Sequence, residues 1–87
     1  MNRREILQKI NIERSRQDEK WGFPQINSIP EWGIILGEEV GEAMQEMNEI
    51  RFREKGMDSL IAELIQVAAV AVAIIEHITM EDTKDER

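Results

Sequence analysis

The stretch "LIAELIQVAAVAVAIIE", residues 60–76, determines how this chain can fold. Residues 67–75 are apolar on every side of a predicted helix, and such a helix has to be buried all round. Two partner helices from the same short chain cover roughly half of that cylinder, and the rest would form a larger exposed apolar patch than monomers usually tolerate. We therefore expect self-association. The alternative is a three-helix bundle with one exposed apolar strip.

The apolar periodicity of the whole chain is that of three helices. They are predicted over residues 3–18, 30–53 and 59–78. In the first, Ile6, Leu7 and Ile10 are expected to face inward, while its polar second half lies in solvent or lines a polar site. Strand alternation is absent from the sequence. The predicted fold class is therefore all-α, a helical hairpin plus an N-terminal helix.

The length and composition limit the organisation and the chemistry. A chain of 87 residues forms one domain with a small core, which we place at residues 1–80, followed by a solvated C-terminal tail at 81–87. The absence of cysteine excludes disulfides and thiolate metal sites. With His77 as the single histidine, oxygen atoms are the realistic metal ligands.

The charge and the N-terminal sequence indicate a cytoplasmic protein. A net charge of −7 repels phosphate backbones, which argues against polymeric nucleic acid as a partner. The N-terminal "MNRREILQKI" is too charged to be a secretory signal. The longest apolar run, residues 67–75, is shorter than the about 20 residues that a membrane span needs, so we expect no membrane association.

The second predicted helix carries three carboxylates, Glu38, Glu39 and Glu42, around two glycines, Gly37 and Gly41. Glu39 and Glu42 lie about 60° apart on one helix face. Each glycine costs a helix about 1 kcal/mol relative to alanine, and the pair exposes a bare backbone that another helix or a ligand can approach closely. The like charges repel one another unless a cation lies between them.

The third predicted helix repeats this spacing with Glu63 and Gln66. If the two helices pack as an antiparallel hairpin, Glu39, Glu42, Glu63 and Gln66 converge. Their oxygen atoms are hard ligands that suit Mg²⁺ or Mn²⁺. The alternative is that the acidic residues form an ordinary solvated helix face that binds no ion.

The motif "EEVGE", residues 38–42, is followed after 20 residues by "ELIQ", residues 63–66. Together they resemble the Glu-Glu-x-x-Glu…Glu-x-x-Asp signature of the MazG-like nucleoside triphosphate pyrophosphohydrolases. The flanking segments "ERSRQDEKWG", residues 13–22, and "PEWGIILGEEVGEA", residues 30–43, are also similar to compact bacterial and phage members of that family. The resemblance covers about residues 10–78.

The resemblance implies an all-α fold whose four-helix-bundle core is completed by oligomerisation, as a dimer or a tetramer. It implies Mg²⁺-dependent cleavage, with Mn²⁺ as a possible substitute, of an NTP or dNTP to the monophosphate and pyrophosphate. Such activity serves house-cleaning or control of the nucleotide pool. Carried onto this chain, Glu39, Glu42 and Glu63 are metal ligands. Glu38 is a further ligand or the base that activates water, and Glu38 and Glu39 are the predicted catalytic residues.

Gln66 departs from the family signature, which has Asp at this position. Its amide oxygen can still bind a metal, as a dipole rather than as a full charge, so we expect lower metal affinity. This leaves an alternative open, a catalytically weak or inactive module that binds metal or nucleotide. A third alternative is a helical oligomerisation domain without a ligand.

Cationic and aromatic side chains near the end of the first helix are the predicted substrate-binding residues. Arg16 and Lys20 are expected to contact the phosphates, and Trp21 is expected to stack on the base. Each cation is also compatible with an ordinary surface position. Further candidates for phosphate contacts are Arg14, Arg51, Arg53 and Lys55.

Overall fold

The computed structural model describes residues 1–53 and 56–85, and the side chains of all of these except 51–53 and 81–85. The helices are α1 (Arg3–Trp21), α2 (Ile29–Arg53) and α3 (Asp58–Asp85). The described part contains no strand, which confirms the all-α fold class. Helices α1 and α3 extend beyond their predicted ends at residues 18 and 78. The predicted solvated tail is therefore helical as far as Asp85, and residues 86–87 lie outside the described part.

Specific capping interactions define both ends of α1. At its start, the Asn2 side chain accepts a hydrogen bond from the Glu5 amide (2.9 Å), and the Glu5 carboxylate accepts one from the Asn2 amide (3.3 Å). At its end, Gly22 has φ of 83° and donates its amide hydrogen to the Asp18 carbonyl at 2.8 Å. This left-handed region favours glycine, so α1 ends at a glycine rather than within the charged run before it.

Helices α2 and α3 form an antiparallel hairpin, as predicted. The Trp32 ring, near the start of α2, lies 4.9 Å from the His77 ring, near the end of α3. Glu42, farther along α2, lies close to Glu63 in the first part of α3. The start of α2 is fixed by Ser28, whose hydroxyl oxygen accepts a hydrogen bond from the amide of Glu31 at 3.3 Å.

Helix α3 is the central element, since it packs against both α1 and α2. Trp32 belongs to the core, because only 4% of this residue is exposed. Most of the fully buried apolar residues are small, which allows the helices to approach closely. The buried apolar residues in the described part are Trp32, Ala43, Ala69, Val70 and Ala73.

The packing of α1 differs from the prediction. Ile6 and Leu7 are exposed, and the buried residues of α1 are instead Arg14 and Gln17. The Arg14 guanidinium forms ion pairs with Asp18 and with Glu76 of α3, both at 2.7 Å. The expectation that the apolar residues face inward was therefore wrong for Ile6 and Leu7, whereas Ile10 is half-buried. The side chains of α1 that reach α3 are polar.

A large share of the apolar surface remains exposed on this single chain. On α2 and α3, the large apolar residues that are exposed include Val40, Met44, Met47, Ile61, Leu64, Val72 and Ile75. Over Asp58–Met80, α3 is also long and apolar enough to cross a membrane, a test that core helices of soluble proteins pass too. The apolar run of residues 67–75, on which the sequence prediction relied, is shorter than this apolar segment of α3. Self-association and cytoplasmic location both stay predictions.

Candidate metal centre and adjoining cavity

Three carboxylates from two helices meet at one point. Glu39, Glu42 and Glu63 each offer one oxygen atom, and these atoms all lie within 4.8 Å of one another. On α2, Glu39 and Glu42 are one helical turn apart and share a face. The antiparallel packing of α3 brings Glu63 opposite them. The convergence that the sequence predicted for these three residues is therefore present.

The environment of Glu39 disfavours its negative charge. Burial has the largest effect and raises the pKa of Glu39, and the carboxylates of Glu42, Glu13 and Glu38 raise it further. Arg16 acts in the opposite direction on this pKa, by its positive charge. Most of the charges near Glu39 are therefore negative, and a bound cation would offset their repulsion.

The same causes act on Glu63. Burial raises the pKa of Glu63 most, followed by its hydrogen bond with Glu42 and by the charges of Glu42, Glu39 and Glu46. A hydrogen bond between two carboxyl groups requires a proton on one of them. The cluster without a cation therefore holds a proton more readily than isolated glutamates do.

Two oxygen atoms of the cluster are buried without a hydrogen-bond partner among the described residues, Oε2 of Glu39 and Oε2 of Glu63. A buried acceptor of this kind costs about 1–3 kcal/mol. Around Mg²⁺, oxygen ligands stand about 3 Å apart when adjacent and about 4 Å apart when opposite. The three oxygen atoms lie within 4.8 Å of one another, a spacing from which small side-chain movements would bring them into contact with one ion. This donor set therefore fits a hard dication.

A cavity of about 270 Å³ adjoins the cluster and is lined by α1, α2, α3 and the α1–α2 connection. Glu39 belongs to both the cluster and the cavity wall. Trp21 and Trp32 contribute aromatic surface. The other polar residues of the wall are Glu13, Arg16, Gln17, Gln25, Glu38 and Gln66.

The two remaining predicted residues of the acidic motifs line this cavity. Glu38 is exposed on the α2 side, next in sequence to Glu39. Gln66 lies half-buried on α3, one helical turn after Glu63. Neither belongs to the three-carboxylate cluster, but both share the cavity with Glu39, where a ligand bound to the cluster would extend.

The predicted substrate-binding residues separate into two groups. Arg16 and Trp21 line the cavity. Lys20 is absent from its lining, and its ammonium group lies 4.7 Å from the centroid of the Trp21 ring. Arg14 is occupied by its ion pairs with Asp18 and Glu76, so it is not available to phosphates.

The side chains of Arg51, Arg53 and Lys55, which were further candidates for phosphate contacts, lie outside the described part of the structure.

The two glycines of the acidic motif, Gly37 and Gly41, lie within the described part. An added Cβ at Gly37 or Gly41 would have no atom within 4 Å among the described residues. The bare backbone is therefore not used by another helix of this chain, and only a ligand or a second copy could make the predicted close approach.

Three cavity residues, Glu13, Gln17 and Gln25, were not singled out in the sequence. Glu13 and Gln17 belong to the polar half of α1, for which a polar site was one of two expectations. In the structure, this half of α1 contributes polar residues to the cavity wall. Gln25 gave no signal, because its position depends on the fold of the connection between α1 and α2.

His77, to which the sequence assigned no chemistry, holds that connection in place. Its Nε2 accepts a hydrogen bond from the Gln25 amide at 3.0 Å, and its Nδ1 lies 2.6 Å from the carbonyl oxygen of Ala73. This pattern requires the neutral ring with hydrogen on Nδ1. The ring also contacts Phe23 edge-on, with the centroids 5.0 Å apart. His77 therefore fixes one edge of the cavity.

Comparison of the chain with protein-family models, with curated proteins and with solved structures finds no match in any of the three. The functional interpretation therefore depends on the geometry of the carboxylate cluster and the cavity, together with the motif resemblance of the sequence.

Proposed function

We propose that this protein is a MazG-like, Mg²⁺-dependent nucleoside triphosphate pyrophosphohydrolase that acts in house-cleaning or in control of the nucleotide pool. One observation carries the proposal. The carboxylate oxygens of Glu39, Glu42 and Glu63 lie within 4.8 Å of one another beside a cavity that contains acidic, cationic and aromatic groups.

The electrostatics of the cluster support a cation as its natural occupant. Glu39 and Glu63 have raised pKa values, and each has a buried oxygen without a partner among the described residues. A dication held by Glu39, Glu42 and Glu63 would offset both penalties, and Mn²⁺ has similar ligand preferences. Gln66 would add an amide oxygen from the next turn of α3.

The reaction is attack of water on the α-phosphorus. The P–O bond to the bridging oxygen breaks, and the nucleoside monophosphate and pyrophosphate leave. Mg²⁺ supplies neutralisation of charge on the phosphoryl oxygens. Glu38 is the proposed base, since it lines the cavity, is exposed to water and adjoins Glu39. Glu39 would help to hold the metal and would orient the attacking water from the cavity wall.

The walls of the cavity supply groups for the rest of the nucleotide. Arg16 lines the cavity and can donate two hydrogen bonds to phosphate oxygens. The Trp21 ring offers an aromatic surface for the base. Lys20 stands over this ring, so it would have to move aside for stacking, or it would meet the phosphates from the edge of the cavity.

We also propose that the protein acts as a homo-oligomer, a dimer or a tetramer, in the cytoplasm. The exposed large apolar residues of α2 and α3 support this, because burying them would complete a four-helix core. The proposed interactions are then with a nucleoside triphosphate and with further copies of the chain, and involve neither a membrane nor polymeric nucleic acid.

The experiment is release of pyrophosphate from a panel of ordinary and modified NTPs and dNTPs, with Mg²⁺ or Mn²⁺. We expect release from at least one nucleotide, and loss of at least about 100-fold in Glu39→Ala, which corresponds to about 3 kcal/mol of barrier. The matched control is Glu19→Gln, since Glu19 is an exposed carboxylate of α1 outside the cavity. No release from any nucleotide would refute the proposal.

A catalytically weak binding module is the second candidate, and Gln66 is the observation that favours it. Gln66 lies in the cavity wall where the family signature has a carboxylate. Gln66→Asp separates the two candidates. A variant that turns over nucleotides rapidly while the wild-type protein barely does so supports the binding module. Comparable turnover of the two proteins supports the enzyme.

A further inference from the structure

Arg16, the cation that we assign to substrate binding in the cavity wall, is held in an ion pair with a second wall residue, Glu13. Arg16 donates from Nε and Nη2 to the two carboxylate oxygens of Glu13, at 2.8 and 2.7 Å. Gln17 Nε2 lies 3.5 Å from one of these oxygens. The Glu13 side chain is 14% exposed and that of Arg16 is 49% exposed, so Glu13 is fixed while Arg16 reaches solvent.

The two members of this pair act on the carboxylate cluster with opposite signs. Glu13 acts on Glu39 as a negative charge and Arg16 acts on it as a positive charge. Both line the same cavity as Glu38 and Glu39. Separation of the pair therefore changes the charge that the cluster experiences, even though Glu13 and Arg16 belong to a different helix.

We propose that Glu13 is a positioning residue that holds Arg16 at the cavity wall and releases it to a phosphate group of the substrate. This inference depends on the proposed function, since it assigns the exchange to the triphosphate of that reaction. A guanidinium binds carboxylate and phosphate through the same two-point geometry. The two anions therefore compete for the same Nε and Nη2 hydrogens of Arg16.

The exchange makes binding depend on the metal. After Arg16 turns to the phosphate, Glu13 remains in the cavity wall as an uncompensated carboxylate, close to Glu39. A triphosphate without a cation would be repelled by Glu13, Glu38 and Glu39 together, whereas a Mg²⁺-bound triphosphate carries less negative charge. Glu13 therefore weakens the binding of every phosphate ligand and discriminates most strongly against the metal-free form.

The experiment measures binding of inorganic tripolyphosphate with Mg²⁺, a probe that needs neither base recognition nor turnover. We expect Glu13→Gln to lower the Kd by about 1.4- to five-fold, the range corresponding to measured exposed ion pairs. In the Arg16→Gln background, the same substitution should produce less than half of that change. Glu19→Gln is the matched removal of a carboxylate from α1, and it should leave the Kd unchanged.

Weaker binding by Glu13→Gln would overturn the inference. An equal decrease in Kd in the presence and absence of Arg16 would also overturn the inference, because the effect would then come from the removal of a negative charge in general. If Glu13→Gln does not fold, Glu13→Asp provides the test, since a shorter carboxylate should release Arg16 in part and lower the Kd. Unchanged or weaker binding by Glu13→Asp would then refute the exchange.

The outcomes for the two proposals can be distinguished. A wild-type protein that binds tripolyphosphate but releases no pyrophosphate from nucleotides refutes the proposed enzyme and leaves the exchange open to the same double-substitution test. A wild-type protein that binds no tripolyphosphate with Mg²⁺ overturns the exchange.

Discussion

Replacement of Glu63 by Gln should stabilise the metal-free protein, although it removes a proposed metal ligand. The substitution keeps the shape of the side chain and removes its charge from a cluster whose oxygen atoms lie within 4.8 Å of one another. The raised pKa of Glu63 means that ionisation costs the folded state more than the unfolded state. Stability therefore falls as the pH rises from the unfolded pKa through the folded one, and the variant gains most at neutral pH.

The size of the effect follows from the distance. Two unit charges at the outer limit of this separation, 4.8 Å, repel by about 3 kcal/mol at an effective dielectric constant of 20, and by about 1 kcal/mol in water. The lower figure applies here, because Glu42 is exposed and the solvent screens its charge. A gain of about 1 kcal/mol corresponds to an increase of about 4–8 °C in the thermal midpoint of a domain of this size.

The assay compares thermal unfolding of wild type, Glu63→Gln and the surface control Glu19→Gln at equal protein concentration, with a chelator and then with Mg²⁺. Mg²⁺ at about 100 times its Kd should stabilise the wild type by about 2.7 kcal/mol, and Glu63→Gln should gain much less. A lower metal-free midpoint for Glu63→Gln would refute this reasoning. So would an equal gain from Mg²⁺ in the variant and the wild type.

Three further perturbations test other parts of the structure. Gly37→Ala should raise the unfolding free energy of the metal-free protein by about 1 kcal/mol, because the added methyl group meets no neighbouring atom of the described residues within 4 Å; a lower thermal midpoint would contradict this. Arg14→Ala should lower the unfolding free energy, measured by urea unfolding, by about 2 kcal/mol, because it removes the buried guanidinium from two ion pairs. An unchanged midpoint would show that these ion pairs contribute little to stability. Calorimetry should show Mg²⁺ affinity falling from neutral to acidic pH, because the raised pKa values of Glu39 and Glu63 favour protonated groups that do not bind metal; a pH-independent affinity would exclude them as ligands.

The helices and their pairing could be predicted because they follow from local patterns. The apolar stretch at residues 60–76 and the periodicity of residues 30–53 define two helices, and a short connection makes them antiparallel. The i, i+3 spacing of Glu39 and Glu42 then requires only that Glu63 lies opposite. The carboxylate cluster could therefore be predicted from the sequence.

The packing of α1 could not be predicted from the sequence, because it involves interactions between residues that are far apart in the chain. The periodicity rule places Ile6 and Leu7 inward, but the ion pair between Arg14 and Glu76 joins residues far apart in sequence. An arginine within a polar run gives no sign of such a partner. The predicted end of α1 at residue 18 was three residues too early, because the polar residues before Gly22 carry no apolar periodicity that would mark a helix.

The cavity could be predicted only in part, for the same reason. Arg16 and Trp21 belong to the segment that resembles the family, whereas Glu13 and Gln25 enter the wall through the placement of α1 and of the α1–α2 connection. That connection is held by the hydrogen bond from the Gln25 amide to His77. Such a tertiary contact has no signature in a single sequence.

The most direct test of the central claim is a crystal of the protein grown with Mn²⁺ and a non-hydrolysable nucleoside triphosphate analogue, measured for anomalous scattering. We expect a manganese peak about 2.2 Å from carboxylate oxygens of Glu39, Glu42 and Glu63, with the phosphates extending into the cavity lined by Arg16. Three carboxylates directed apart into solvent, or manganese bound only elsewhere, would contradict it.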